Sequence, residues 1–234
     1  MSLREVLLSG AAEWGLELSP PALESFEAYY ALLSEMNRVM DLTAVMGEEE
    51  TARRHFLDAL ALLELADFPQ GARVVDVGTG AGFPGVPLKI AVPSLELTLL
   101  DSLQKRMNWL ENEALPELGI EARFLTGRAE DFAKDRRECF DVVTSRAVAR
   151  LNLLCELCLP YVRVGGCFLA LKGAAADQEL REAERAIRAL GGSYERTEVF
   201  PIGGASHQVL VIRKTAPTAP RYPRPWSQIK KKPL

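Results

Sequence analysis

The sequence predicts an α/β protein: a seven-stranded, largely parallel, Rossmann-like sheet with helices on both faces, preceded by an all-helical segment. Three observations carry this. No strand signal appears before residue 72. Beyond it, short apolar runs alternate with helical stretches, the βαβ pattern of a doubly wound sheet. The last two runs have no helix between them and therefore predict an antiparallel hairpin.

Residues 1–67 read as helices. Leu3, Val6, Leu7 and Leu8 form one apolar face, and Ser19-Pro20-Pro21 places a cap before two prolines, tolerated in a first turn. Leu23, Phe26, Tyr30 and Leu33 recur at helical spacing up to Met36. Asn37 to Thr43 reads as a loop, and Glu48 to Leu65 as a further helix carrying His55, Phe56, Leu60 and Leu63.

The sheet is predicted over residues 68–215. Its strands are Arg73–Val77, Leu95–Asp101, Ala122–Thr126, Phe140–Ser145 and Cys167–Lys172, followed by two around Ser193–Phe200 and Gln208–Arg213. The intervening helices are Pro84–Ile90, Lys105–Leu118, Leu151–Leu159 and Asp177–Leu190. Pro217, Pro220, Pro223 and Pro225 then predict an extended tail over 216–234 without regular structure.

The net charge of −4 is unevenly spread: Ser206 to Leu234 holds seven Lys/Arg and no acid, leaving −11 on the remainder. A basic tail on an acidic body suits contact with a polyanion. No apolar run approaches the roughly 20 residues a membrane span needs, and Met1–Glu5 lacks a signal peptide's layout. The cytoplasm is the expected compartment. Cys155 and Cys158 form a CxxC, but there is no second pair and His55 and His207 are distant, so buried small hydrophobes are expected and no metal.

The strongest motif is Asp76-Val77-Gly78-Thr79-Gly80-Ala81-Gly82-Phe83-Pro84-Gly85. Glycines directly after a strand allow a tight turn and close approach of a ligand to the backbone. From Gly80 the string fits G-x-G-x-x-G, the nicotinamide-dinucleotide fingerprint. From Asp76 it fits D-x-G-x-G-x-G, in which the added acid suits the ammonium of a methionine moiety. Asp101, 19 residues beyond Gly82, suits ribose hydroxyls in either case. After the third predicted strand, Gly127-Arg128-Ala129-Glu130 offers an acid for an adenine amine. Asp76, Gly78, Gly80, Asp101 and Glu130 thus outline methionine, ribose and adenine in order. With the terminal hairpin, they favour a class I methyltransferase over a six-stranded dinucleotide protein. A nicotinamide-dependent oxidoreductase and a non-catalytic RNA-binding protein are the competing readings.

The fourth predicted strand runs into Thr144-Ser145-Arg146-Ala147. An (Asn/Asp)-Pro-Pro-(Tyr/Phe) element, used to hold an amine, is missing, and no attacking cysteine follows. A ring nitrogen with a free lone pair, such as guanine N7, needs neither. Arg146 is a candidate to orient a phosphate, a guanine edge or a cofactor carboxylate, and its loss is expected to cost activity and not folding.

The sequence resembles the glucose-inhibited division protein B (RsmG) family of small-subunit rRNA guanine-N7 methyltransferases over essentially the whole chain. The resemblance rests on Asn37–Thr43, Arg54–Leu60, Asp76–Gly85, Asp101–Arg106, Gly127–Glu130, Ser145–Ala147, Leu171–Gly173 and His207–Ile212. It departs from the family pattern at Asp41, where asparagine is commoner, and at Ala59, where serine is usual. The resemblance implies S-adenosyl-L-methionine as cofactor and 16S rRNA or the small ribosomal subunit as partner, with no membrane or metal and a monomeric chain. It places cofactor contacts on Gly78, Phe83, Asp101, Ser102, Leu103, Ala129, Glu130 and Arg146. Lys172 is implied as an RNA contact, with Arg54, His55, Lys105 and Arg106 as further candidates on that side.

Overall fold

The computed structural model describes residues 1–202 and 205–234. Seven strands form one sheet: β1 (Arg73–Val77), β2 (Glu96–Asp101), β3 (Arg123–Thr126), β4 (Phe140–Arg146), β5 (Val162–Lys172), β6 (Gly192–Ile202) and β7 (Ala205–Lys214). Their order is β3-β2-β1-β4-β5-β7-β6. β1 to β5 are parallel, with Val75 beside Thr98 on one side and Val143 on the other. β7 runs antiparallel between β5 and β6, with Cys167 opposite Arg213 and Lys172 opposite Gln208. This confirms the predicted hairpin. The antiparallel insertion separates the sheet from an all-parallel dinucleotide fold. β5 begins earlier than its apolar run suggests, because Gly165 and Gly166 lie inside it, where pairing with β4 is irregular.

Val74 to Val77 are buried on both faces, as a central parallel strand requires. On one face Val74 belongs to an apolar cluster shared with the N-terminal helices and the helix Gly85–Ala91; on the other, Val75 and Val77 belong to a cluster that includes the helices Leu151–Cys158 and Ala176–Ala189. Cys155 and Cys158 are fully buried in the second layer, and burial pushes both thiols up. They serve as small hydrophobes, as expected.

The first helix, Leu3–Glu13, starts with a capping box between Ser2 and Glu5, and the second, Pro20–Met36, with Ser19 capping the amide of Ala22. The predicted third helix is irregular. It passes from Glu48–Thr51 through a π-helical turn, Ala52–Leu57, to Asp58–Leu60 and a 3₁₀ turn, Ala61–Glu64. The π turn carries His55; such turns recur at functional sites.

The tail differs from expectation. Its prolines do prevent long elements, but Trp226–Lys231 is a short helix, and Thr218, Tyr222 and Ile229 are buried against the core. Arg224 forks onto Glu156, a fully buried carboxylate of the helix Leu151–Cys158, with N–O distances of 2.6 to 3.2 Å. Apolar side chains and one charge-assisted pair therefore hold a segment that its composition alone marks as loose. Among the described residues no helix is long and apolar enough to cross a membrane.

Candidate active site

The sheet order reverses between β1 and β4, and a crevice opens at such a switch point beyond the carboxyl ends of the strands. A cavity of about 440 Å³ lies there. The turn Gly78–Ala81 forms its floor, Asp101, Ser102 and Arg106 one wall, and Gly127–Glu130 another. Phe83, Arg146, Ala147 and Val148 close the side towards β4.

The turn is tied down from below. The amides of Gly78 and Thr79 both donate to the carbonyl of Leu100, at 2.7 and 3.1 Å. Gly78, Gly80 and Gly82 all have φ between +60° and +96°, the region that favours glycine. The glycines nevertheless have different tasks. A Cβ on Gly80 would have open space apart from the Arg106 guanidinium, whereas one on Gly82 would strike the Tyr29 hydroxyl and Val86. Gly82 is thus a packing position: the buried Tyr29 of the second helix donates to the carbonyl of Ala81 and holds the turn.

Asp76 does not line the cavity. Its buried carboxylate accepts from Thr79 Oγ1 at 2.7 Å, the Gly85 amide at 3.0 Å and Thr144 Oγ1 at 3.2 Å. Burial pushes the carboxyl up to about 6, against the pull of these hydrogen bonds. These three hydrogen bonds tie the turn to β4. Asp101 does face the cavity: one oxygen accepts from the Gly80 amide and the other from Leu103, both at 2.9 Å. Each oxygen keeps a further lone pair for a hydroxyl. Glu130, Ala129, Ser102, Gly78, Gly80 and Phe83 also line the cavity; Leu103 lies behind Asp101 and contributes its amide.

Arg146 ends β4 and stands between this cavity and a second one of about 630 Å³. The second cavity is lined by Arg54, Arg150, Lys172 and His207 among others. Arg146 stacks over Phe83, 4.8 Å from the ring centre, and donates to Asp58 and to the carbonyl of Arg54, both at 3.1 Å. Asp58 is buried, and its other oxygen lies 2.8 Å from His207 Nδ1. His55 stacks on Phe83 and meets Thr43 Oγ1 at 2.7 Å. Burial, reinforced by Arg146, lowers its imidazole to about 3, so it is neutral near pH 7. Lys172 sits only in the second cavity, where its amine is engaged by Glu179 at 2.8 Å and the Ala149 carbonyl at 2.6 Å. Arg106 joins the first cavity and Arg54 the second; Lys105 is exposed and joins neither.

Sequence reasoning missed Asp58, Thr43 and Trp226. Asp58 and Thr43 lie inside stretches that carry the family resemblance, which was the available signal. Trp226 had none, since nothing in a proline-rich tail points inward.

The sheet order and the placement of this cavity define a class I methyltransferase. The chain belongs to the GidB family, described as rRNA small subunit methyltransferase G, which it matches over residues 22–207. It is 43% identical to the Ribosomal RNA small subunit methyltransferase G of Thermoanaerobacter sp. (strain X514) over 235 residues, 98% of each chain. The Bacillus subtilis (strain 168) protein of the same name is also 43% identical, over 234 residues and 98% of each chain. Among solved structures, TrmN from Thermus thermophilus shares the fold with a TM-score of 0.55 and 24% identity, over 70% of this chain and 53% of that one. P. horikoshii TYW2 in complex with MeSAdo does so with a TM-score of 0.55 and 16% identity, over 74% of this chain and 66% of that one.

Proposed function

We propose that this protein transfers a methyl group from S-adenosylmethionine to N7 of one guanine in 16S rRNA, acting in the cytoplasm as a monomer. The observation that carries the reading is the pairing of two cavities across Arg146: one walled by Asp101 and Glu130, the other lined by Arg54, Arg150 and Lys172.

The first cavity suits an adenosine-bearing cofactor. Asp101, held by two backbone amides, offers its remaining lone pairs to ribose hydroxyls. Glu130 offers a carboxylate to the adenine amine, and the Gly80 turn leaves room for the methionine portion. When bound, S-adenosylmethionine supplies an electrophilic methyl group on a sulfonium. A guanine N7 lone pair attacks without first losing a proton, so the chain needs no general base. The residues agree with this: His55 is too weak a base, Ser145 is buried and donates to the Val77 carbonyl, and among the described residues no cysteine lines either cavity. The chain's work is placement, with Arg146 fixing the boundary where acceptor and donor meet.

The test is incubation with methyl-tritiated S-adenosylmethionine and either unmodified 30S subunits or protein-free 16S rRNA, followed by cleavage at N7-methylguanine. Label at one guanine is the expected result. Cofactor binding without labelled RNA would overturn the acceptor assignment.

A further inference from the structure

The C-terminal segment reaches the donor cavity. Trp226 is half-buried, lines that cavity together with Gly127–Glu130 and Leu157, and carries the Arg128 guanidinium 5.8 Å from its ring centre. This is the end of the cavity proposed to hold adenine, beside Glu130.

The segment is held firmly enough to present a side chain. Arg224 donates to Glu156 through its backbone amide at 2.9 Å as well as through its guanidinium. Arg137 donates to the carbonyls of Thr218 and Tyr222. Tyr222 and Ile229, on either side of Trp226, are anchored in the same apolar layer as Leu154 and Leu157. An indole in a cavity wall, set between two buried anchors, offers a rigid flat surface to a planar heterocycle.

We propose that Trp226 is a purine-contacting residue of the donor site, and that the Arg224–Glu156 pair is a clasp that holds it there. The inference rests on the adenosine-cofactor reading of the cavity. It makes the last helix part of the binding site, so the cofactor's affinity depends on a segment outside the sheet.

Calorimetry with S-adenosylhomocysteine, and separately with adenosine alone, tests it on wild-type protein and on Trp226→Ala, Trp226→Phe and Glu156→Gln. Trp226→Ala should weaken both ligands by the same factor, tenfold or more, because the lost contact lies on the fragment they share. Trp226→Phe should recover most of it. Glu156→Gln should weaken both ligands while leaving the ratio of their affinities, set by the homocysteine part, unchanged. Thermal melts confirm that each variant is folded at the temperature of titration. Equal affinity of folded Trp226→Ala and wild type, or a loss for S-adenosylhomocysteine with none for adenosine, would overturn the proposal. Failure of the wild type to bind either ligand would instead overturn the cofactor reading beneath it.

Discussion

Arg146 at the end of β4 and Asp58 in the third helical run are 88 residues apart in sequence and meet at 3.1 Å. The contact makes the third helical run part of the wall of the second cavity. Because Asp58 is buried, Arg146→Ala leaves a carboxylate whose one remaining side-chain partner among the described residues is His207. The expectation that this substitution spares folding is therefore revised. It should cost about 3 kcal/mol of stability, the range for breaking a buried pair, in addition to activity. Urea unfolding of Arg146→Ala, Asp58→Asn and the double variant should show the double variant more stable than the two losses added together. Activity should stay lost in the double variant. Strict additivity would mean that the two groups do not support each other.

Asp101 should be read most directly by binding. Asp101→Asn turns one acceptor oxygen into an amide that faces a backbone N–H from Gly80 or Leu103. Affinity for S-adenosylhomocysteine should fall at least tenfold, about 1.4 kcal/mol, by calorimetry. Unchanged affinity would remove Asp101 from the ribose position.

His55 and Asp76 pull acid stability in opposite directions. The imidazole is lowered to about 3, so between about pH 3 and 6.5 the unfolded chain takes up a proton that the folded chain refuses. This makes stability fall on acidification. The Asp76 carboxyl is raised to about 6, so between about pH 4 and 6 the folded chain keeps a proton that the unfolded chain has lost, and stability rises on acidification. Each slope approaches about 1.4 kcal/mol per pH unit, and over this window they cancel. His55→Gln removes one of them. Its stability relative to wild type should improve by about 2 kcal/mol between pH 6 and 4.5 in urea melts. Parallel curves would show that the imidazole is not held neutral.

The glycine turn separates into two kinds of position. Gly80→Ala should cost about 1–2 kcal/mol, the price of a left-handed alanine, with the fold otherwise intact. Gly82→Ala must also displace Tyr29 and Val86, and should be the more destabilising by chemical denaturation. The reverse order would mean that Tyr29 does not hold the turn.

Much of this architecture was legible because the sheet writes itself into short apolar runs. β1 to β4 fall within a residue of their predicted bounds, and the lack of a helix before β7 disclosed its antiparallel course. Asp101 and Glu130 were readable because strand ends place side chains predictably. Periodicity was less informative elsewhere. It shows that the face bearing His55 and Phe56 is buried, but not that it packs on Phe83. It shows an acid at Asp76, but not that three donors from the turn, the next helix and β4 converge on it. Proline content likewise ruled out long helices after Thr215 and said nothing of whether Tyr222 and Ile229 would find a core.

Asp58 enters the site from the first quarter of the chain, and Trp226 from the last ten residues. The two walls thus come from positions 168 residues apart, and the sheet between them brings both to one crevice. An intact sheet is accordingly not enough: both flanking segments must be docked on it before the two cavities have their full linings.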